Sequence, residues 1–183
     1  MAPSADRSHL AGRGCGSDEK PNWQAGRMRI CFVCLGNICR SPAAEAVFLH
    51  LADQAGLDVE VESAGTGPWH VGEPPHEGTL TEAARRGIPV DHVGRQFGPD
   101  DFARFELVVA MDSGNVAELQ EMAPDEESAA RVVRLGEFAP DVGTTGVRDV
   151  PDPYGRPQAE FVTMFDQVET ACRGLVEHLS GDR

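Results

Sequence analysis

The sequence predicts an α/β fold, a single domain in which a four-stranded parallel sheet has helices on both faces. The 183 residues are enough for one domain with a buried core. A composition of 40% hydrophobic and 25% charged residues is typical of globular proteins. Short apolar segments alternate along the chain with longer segments of helical character. This alternation indicates parallel strands that are joined by helical crossovers.

The first strand and the first helix have the clearest patterns. Residues 29–33 (RICFV) are short, apolar and partly β-branched, as expected for a buried strand. Residues 41–56 follow as a predicted helix. Ser41 is suited to cap its N-terminus, Pro42 to occupy its first turn and Gly56 to end it. The chain therefore passes from strand to helix through a short loop.

The remaining elements continue the alternation of strands and helices. Two loops rich in Gly and Pro, 65–75 and 136–157, separate them, and Asp112 is a suitable N-cap for the third helix. The further predicted elements are strands over 59–64, 106–111 and 131–135, and helices over 76–87, 112–123 and about 158–180.

The N-terminal segment does not share this pattern. It is rich in Gly, Ser, Pro and charge, so residues 1–27 are predicted to be a disordered extension of a domain that spans residues 28–183. No apolar run is long enough to span a membrane, and the N-terminus lacks the apolar core of a secretory signal. We therefore expect a cytoplasmic protein.

Charge and cysteine content exclude several kinds of partner. The formal net charge of −14 disfavours binding to nucleic acid or to an anionic membrane, so a bound anion must be held by local groups. An odd number of cysteines, five, of which three lie within nine residues, does not match the disulfide framework of a secreted protein. The six histidines lack ligand spacing, so no metal site is predicted. Arginine outnumbers lysine 15 to 1, which together with abundant Ala and Gly suggests a bacterial, GC-rich genome.

The segment CLGNICRSP, residues 34–42, lies where the first strand passes into the first helix. Ligands of parallel sheets bind beyond the carboxyl ends of the strands, and a helix N-terminus offers unpaired N–H groups to an oxyanion. Gly36 permits backbone conformations closed to other residues, and Asn37 tolerates left-handed angles. The planar guanidinium of Arg40 fits two phosphate oxygens at once. These features predict a phosphate-binding loop after the first strand.

Cys34 is the candidate nucleophile of this loop. A cysteine in a positive environment loses its proton readily and becomes a nucleophilic thiolate. The pattern C-x5-R pairs Cys34 with Arg40, and Ser41 is placed to donate a hydrogen bond to the sulfur. A buried core cysteine beside a surface arginine is the alternative, but it leaves the Gly, Asn and Ser of the loop unexplained. No arginine stands at this spacing after the other cysteines, Cys15, Cys31, Cys39 and Cys172.

With these motifs the sequence resembles the low-molecular-weight protein tyrosine phosphatases. VCLGNICRSP matches the signature of that family, and PDPYG at 151–155 matches its Asp-Pro-Tyr loop near the C-terminus. Two intermediate segments also fit, SAGTGPWHVG at 63–72 and DHVGRQF at 91–97. The resemblance covers about residues 28–180. It implies the predicted α/β fold and the hydrolysis of phosphotyrosine in proteins and of small aryl phosphates.

The resemblance also implies a role for each matching residue. Cys34 is the nucleophile that forms a cysteinyl-phosphate intermediate, and Arg40 binds the phosphoryl oxygens. Asp152 is the general acid that protonates the leaving phenolate and then the base toward water. The substrate is a tyrosine-phosphorylated protein, and the reaction needs no metal or other cofactor. The remaining residues expected to contact the substrate are Leu35, Gly36, Asn37, Ile38, Cys39, Ser41, Trp69 and Tyr154.

Supporting residues follow from the same resemblance. Ser63 and His92 are similar to part of the network that holds the loop rigid. Trp69 and Tyr154 are similar to the aromatic walls that clasp a flat phenyl ring. The family often has a second tyrosine after Asp-Pro-Tyr, and this chain has Gly155 there, so one wall or modification site of the family is absent.

Some residues have a plainer interpretation that stays open. Asp149 competes with Asp152 as the acid, although it lacks the Pro-Tyr context, and Trp69 would also suit a core. Arg95 is interpreted as a solvated surface charge. Cys39 either packs under the loop or traps an oxidised Cys34 as a reversible disulfide under peroxide.

Three other functions are alternatives to this one. Thioredoxin-coupled arsenate reductases have the same fold and loop, but they need further cysteines in the middle of the chain, which this sequence lacks. Phosphoarginine phosphatases resemble the loop with Thr at the position of Ile38, and an apolar Ile38 favours an aryl phosphate. A phosphoprotein-binding module without activity is expected to have lost the nucleophile or the acid, and both are present.

Overall fold

The computed structural model describes residues 27–181, so the predicted disordered extension lies, apart from Arg27, outside the described residues. Four parallel strands form the centre of this part of the chain: β1 (Met28–Cys34), β2 (Val59–Gly65), β3 (Leu107–Ala110) and β4 (Val132–Arg134). They lie in the order β2–β1–β3–β4. The predicted four-stranded parallel sheet is confirmed, and β1 occupies its middle.

Between residues 27 and 181 the chain forms six α-helices and two 3-10 turns. The predicted helices are present, with ends that differ from the expected ones by one or two residues. The short elements were missed, because four or five residues are too few to show a helical period. The helices are α1 (Arg40–Ala55), α2 (Glu77–Arg85), α3 (Ser113–Met122), α4 (Glu126–Ala130), α5 (Val142–Thr145) and α6 (Gln158–Ser180), and the 3-10 turns are Pro99–Ala103 and Leu135–Phe138.

Strand β1 separates two apolar cores because successive side chains of a strand point to opposite faces of the sheet. Ile30 and Phe32 belong to the core that α1 and α6 cover. Cys31 and Val33 belong to the second core, which contains Leu119 of α3 and the Phe102 ring of the 3-10 turn at Pro99–Ala103. Helices therefore pack on both faces of the sheet, as predicted. None of the helices within residues 27–181 is long and apolar enough to cross a lipid bilayer.

One predicted helix cap is wrong. Helix α1 begins at Arg40, and its N-cap is Cys39, which makes no side-chain capping bond. Ser41 lies inside the first turn, and its hydroxyl faces the Cys34 sulfur at 3.0 Å. The hydroxyl is therefore directed into the loop and does not cap the helix. Two other predicted ends are confirmed, since Gly56 ends α1 in a left-handed conformation and Asp112 caps α3 by accepting the N–H of Asn115.

Deleting residues 1–27 is expected to change activity less than twofold and to change the melting temperature little. Of these residues the structure describes Arg27, whose side chain donates to the Val59 carbonyl at 3.1 Å and forms an exposed ion pair with Asp58. Exposed ion pairs contribute about 0–1 kcal/mol. The measurement is kcat/KM and thermal unfolding of the chain that begins at Met28, with the full chain as reference. A large loss of either quantity would contradict the predicted domain boundary.

Candidate active site

The loop between β1 and α1, residues 34–40 and here called the phosphate loop, curls around the Cys34 sulfur. Cys34 is buried at the carboxyl end of β1. Its sulfur accepts the backbone N–H of Asn37 at 3.2 Å and lies 3.0 Å from the Ser41 hydroxyl. Two donors thus converge on the sulfur next to the N-terminus of α1. The loop and the helix terminus therefore surround the predicted nucleophile.

Asn37 is the residue that gives the loop its shape. Its φ of 56° is left-handed, the only such value at a non-glycine residue within the described part of the chain. Asparagine tolerates this conformation better than most residues. Its side-chain amide donates to the hydroxyls of Ser41 and Ser63, at 2.9 and 3.0 Å. Its side-chain oxygen accepts the N–H of Arg95 at 2.9 Å and faces His92 Nε2 at 3.1 Å.

Glu45 of α1 completes this network behind the loop. It accepts a hydrogen bond from the Ser63 hydroxyl at 2.6 Å and faces His92 Nδ1 at 3.2 Å. The other nitrogen of His92 faces oxygens of Asn37, so both ring nitrogens point at acceptors. The network holds a left-handed turn in place before any ligand arrives, which is the requirement for a preorganised anion site.

The interpretation of Arg95 as a solvated surface charge is wrong. Its guanidinium lies between Glu62 and Asp101, at 3.0 and 3.1 Å, and its backbone N–H holds Asn37. Sequence reasoning also missed Glu45. Arg95 stands in the segment DHVGRQF, but the family match assigned it no role, and Glu45 lies in none of the matched segments. Each acts through a fold contact with a residue distant in sequence.

Arg40 is almost fully buried and lies between two carboxylates. Its Nη1 donates to Asp112 at 2.5 Å and its Nη2 donates to Asp152 at 3.0 Å. Burial by itself lowers the pKa of Arg40, but the negative charges of Cys34, Asp152 and Asp112 outweigh this effect and raise it. The guanidinium is therefore a permanent positive charge held in a fixed orientation. The sequence indicated Asp112 as a helix cap, and only the structure shows that it also orients Arg40.

The segment 150–156, here called the acid loop, brings Asp152 to the phosphate loop. The Asp152 carboxylate accepts the N–H of Tyr154 at 3.1 Å, and its side chain is 46% exposed. Asp149, the competing candidate, points elsewhere: it pairs with Arg134 at 2.7 Å and accepts the backbone N–H and the hydroxyl of Ser113. Of the two aspartates, only Asp152 lies against Arg40.

A cleft of about 160 Å³ lies between the two loops. Trp69 and Tyr154, at its rim, are 65% and 57% exposed, so Trp69 is not a core aromatic. His70 also lines the cleft; it packs over Gly36, where a Cβ would lie 3.1 Å from its ring. Its Nδ1 bonds Glu73 at 2.7 Å, and sequence reasoning missed it. The complete lining is Leu35, Gly36, Asn37, Ile38, Cys39, Trp69, His70, Asp152 and Tyr154.

The motifs and this geometry agree with the comparison to known proteins. The family described as low molecular weight phosphotyrosine protein phosphatase matches residues 29–183. The chain belongs to this family. A low molecular weight protein-tyrosine-phosphatase of Streptomyces coelicolor is 47% identical over 150 residues, which cover 81% of this chain and 91% of that protein.

Two solved structures of the low molecular weight phosphatase fold are similar to this chain. A protein tyrosine phosphatase from Entamoeba histolytica, crystallised with Hepes in its active site, is 34% identical with a TM-score of 0.78, over 85% of this chain and 99% of that one. YfkJ from Bacillus subtilis is 37% identical with a TM-score of 0.78, over 86% and 98%. The predicted family and enzyme class are confirmed: these are cysteine-dependent, metal-independent phosphatases.

The acid loop of this phosphatase has its own backbone constraint. Gly155, which stands where the family often has a second tyrosine, has a φ of 71°. Glycine adopts this left-handed conformation freely, whereas a tyrosine would be strained there.

The other described cysteines of the phosphatase are buried thiols. Burial raises the pKa of Cys39 to about 12, with the nearby Cys34 and Asp152 charges adding to it. Burial likewise raises the pKa values of Cys31 and Cys172. Cys34 and Cys39 are both unbonded, so a Cys34–Cys39 disulfide under peroxide stays a prediction. Across residues 27–181 no group of three or more His, Cys, Asp or Glu side chains is arranged to hold a metal ion.

Proposed function

We propose that this protein hydrolyses phosphotyrosine in proteins through a cysteinyl-phosphate intermediate on Cys34, in a bacterial cytoplasm. The observation that carries the proposal is the arrangement of three groups at the phosphate loop. The Cys34 sulfur accepts the Asn37 N–H inside the loop, and the Arg40 guanidinium lies close enough for the charge of the sulfur to raise its pKa. Arg40 in turn contacts, at 3.0 Å, the carboxylate of Asp152, which lines the cleft. Together they supply a nucleophile, a charge for the phosphoryl oxygens and an acid.

In the first step the Cys34 thiolate attacks phosphorus. A P–S bond forms while the P–O bond to the tyrosine ring breaks, and the electron pair of that bond goes to the phenolate oxygen. Backbone N–H groups of the phosphate loop and the fork of Arg40 bind the oxygens that carry the developing charge. Asp152 in its protonated form gives its proton to the phenolate, which makes it a better leaving group.

In the second step water attacks the cysteinyl phosphate. Asp152, now a carboxylate, takes a proton from the water, and the P–S bond breaks to release phosphate and the Cys34 thiolate. The Ser41 hydroxyl, 3.0 Å from the sulfur, donates a hydrogen bond to the departing thiolate. Ser41 accepts from the Asn37 amide, and its one proton can go to the sulfur at 3.0 Å or to the Ala64 carbonyl at 3.3 Å. The charged sulfur is the stronger acceptor of the two.

The shape of the cleft supports an aryl substrate. Trp69 and Tyr154 stand at the rim, and the apolar Ile38 and Leu35 line the floor and the entrance. Flat aromatic rings gain contact area between such walls, whereas the short side chain of phosphoserine would not reach the sulfur past them. The apolar Ile38 gives a phosphoguanidino group no polar partner, which disfavours phosphoarginine.

The test of this specificity is one assay with three peptides of identical sequence that carry phosphotyrosine, phosphoserine or phosphoarginine. We expect kcat/KM for phosphotyrosine to exceed that for the other two by about 10²-fold or more, since unfilled or unpaired groups cost several kcal/mol in the transition state. The Cys34→Ser variant is the blank for contaminating activity. A preference for phosphoarginine, or equal rates for all three peptides, would contradict the proposal.

Ser41→Ala is expected to slow the second step more than the first. Removal of a hydrogen bond to a charged sulfur costs about 1.5–3 kcal/mol, which corresponds to a fall in kcat of about 10- to 10²-fold. With p-nitrophenyl phosphate, stopped-flow absorbance should then show a burst of p-nitrophenol that approaches one equivalent of enzyme. Ser180→Ala, at the end of α6, is the matched control and should behave as wild type. A fall in rate without any burst would place the effect of Ser41 on the attack itself.

A further inference from the structure

His76 connects two parts of the cleft, the phosphate loop and the Tyr154 wall, to α6, and none of the predicted roles includes it. Its backbone N–H donates to the Ile38 carbonyl of the phosphate loop at 2.8 Å. Its ring stacks on Phe161 of α6, with 5.0 Å between ring centroids and 15° between planes. The same ring lies edge-on to Tyr154, 5.8 Å between centroids. One residue therefore touches the phosphate loop, a cleft wall and the final helix.

His76 is also the N-cap of α2, a position where Ser, Thr, Asp or Asn is usual. Its Nδ1 accepts the N–H of Gly78 at 3.0 Å. A ring nitrogen accepts a hydrogen bond only through its lone pair, so the bonded form of the imidazole is neutral with its proton on Nε2. A proton added at Nδ1 removes the acceptor and also sets a positive charge against the positive end of the helix dipole. Unlike a hydroxyl or amide cap, this cap is disabled by acid.

The N-terminus of α2 is held tightly by the groups around it, so it and they move together. A Cβ on Gly78 would lie 2.6 Å from the Phe161 ring, so helix and ring are in close contact. Gln158 donates to the Gly78 carbonyl at 3.0 Å and ties the same turn to α6. A change in this turn therefore moves the backbone and the ring of His76 together. The Ile38 carbonyl and the Tyr154 ring contact His76, so we expect them to move with it.

Few titratable groups surround the His76 ring. Tyr154 faces it from the acid loop, Phe161 from α6 does not titrate, and Glu77 follows it on α2. Beyond Tyr154 lies His70, 5.9 Å from the tyrosine ring. Within residues 27–181, the Gly78 N–H is the one hydrogen-bond partner of His76 Nδ1. No carboxylate is therefore bonded to this nitrogen that could accept a hydrogen bond from it once it has gained a proton.

We propose that His76 is a positioning residue. It keeps the phosphate loop and the Tyr154 wall in the arrangement that binds substrate only while its Nδ1 carries no proton. The inference rests on the proposed phosphatase function. It gives the enzyme a loss of substrate binding in acid that is separate from any effect of pH on the chemical steps. The expected effect is mainly on KM, because the group that moves is the wall around the substrate ring.

The kinetic test compares wild type, His76→Asn and the control His50→Asn on one phosphotyrosine peptide. Asparagine caps a helix but does not titrate, and His50 is an exposed residue of α1 whose ring bonds Gln54. Effects of pH on the chemical steps are common to all three proteins and cancel in ratios of kcat/KM. Between about pH 7.5 and 5, the ratio of His76→Asn to wild type should rise about three- to tenfold, mainly through KM, while that of His50→Asn stays constant. A constant ratio for His76→Asn would overturn the proposal. Should this variant not fold, His76→Asp takes its place.

A second test does not depend on activity. Long-range ¹⁵N–¹H NMR of the histidine rings in the wild-type chain reports the tautomer of His76, and the Gly78 amide resonance reports the cap. We expect the proton on Nε2 at neutral pH and a Gly78 amide shift that follows the titration of His76. A proton on Nδ1 at neutral pH, or a Gly78 amide that ignores the titration, would overturn the inference. If the peptide assay shows no phosphotyrosine hydrolysis, the proposed function fails while this readout still decides the capping state of His76.

Discussion

Replacing Cys34 by serine is expected to lower kcat by about 10⁴-fold or more while the cleft still binds phosphate. A serine hydroxyl keeps its proton at neutral pH and is a much weaker nucleophile than a thiolate. In the proposed mechanism the oxyanion is bound by backbone N–H groups and by the Arg40 guanidinium, which Asp112 holds in place at 2.5 Å. The substitution leaves these groups unchanged. Turnover of p-nitrophenyl phosphate measures the first effect.

Phosphate binding by the Cys34→Ser variant is measured through thermal unfolding. A ligand at about 100 times its Kd raises the unfolding free energy by about 2.7 kcal/mol, and we expect this gain in both the variant and the wild type. Cys172→Ala is the matched control, because it removes a buried thiol from α6 and should keep its turnover. Substantial turnover by Cys34→Ser would rule out Cys34 as the nucleophile. Loss of phosphate binding would mean that the sulfur shapes the loop.

Asp152→Asn is expected to lower kcat for phosphotyrosine by about 10²–10³-fold, and for p-nitrophenyl phosphate by much less. An amide cannot donate a proton to the leaving oxygen. Protonation matters most when that oxygen is basic, as in tyrosine, and least for the weakly basic p-nitrophenolate. The measurement is kcat across a series of aryl phosphates whose phenols differ in pKa. The variant should show a steeper dependence on the leaving group than the wild type.

Asp149→Asn is the matched control for this series. Asp149 lies in the same segment of chain, but it bonds Arg134 and Ser113 and not Arg40. Its replacement should leave the dependence on the leaving group as in the wild type. If Asp152→Asn lowers kcat equally for all substrates, the role of Asp152 is to hold Arg40 and the acid loop in place. If Asp149→Asn changes the dependence instead, Asp149 is the acid.

The strands and long helices could be predicted because their signals are local. A buried strand such as β1 shows as a short apolar run, and a long helix such as α6 shows its hydrophobic period over many turns. The short helices α4 and α5 and the 3-10 turns give no such signal. They form because the surrounding contacts hold a few residues in a turn, which is a property of the packed chain.

Ser41 illustrates how tertiary contacts override a local rule. A serine just before an apolar helix is a good N-cap by propensity, yet the structure turns its hydroxyl to the Cys34 sulfur and to Asn37. The helix begins one residue earlier, at Arg40. The Ser41 hydroxyl makes its hydrogen bonds inside the phosphate loop, and these bonds replace the capping bond.

By itself, the sequence determined the strand–helix alternation, the phosphate loop and its Cys34–Arg40 spacing, because these depend on residues that are neighbours in the chain. Only the tertiary structure decided which groups hold the site in place. Strand β1 lies between β2 and β3, in the register that pairs Val33 with Ala110, so Asp112 at the end of β3 meets Arg40. The capping role of His76 has the same origin. Contacts across 72 residues of chain, as between Arg40 and Asp112, leave no pattern in a single sequence, since they arise from strand order and packing.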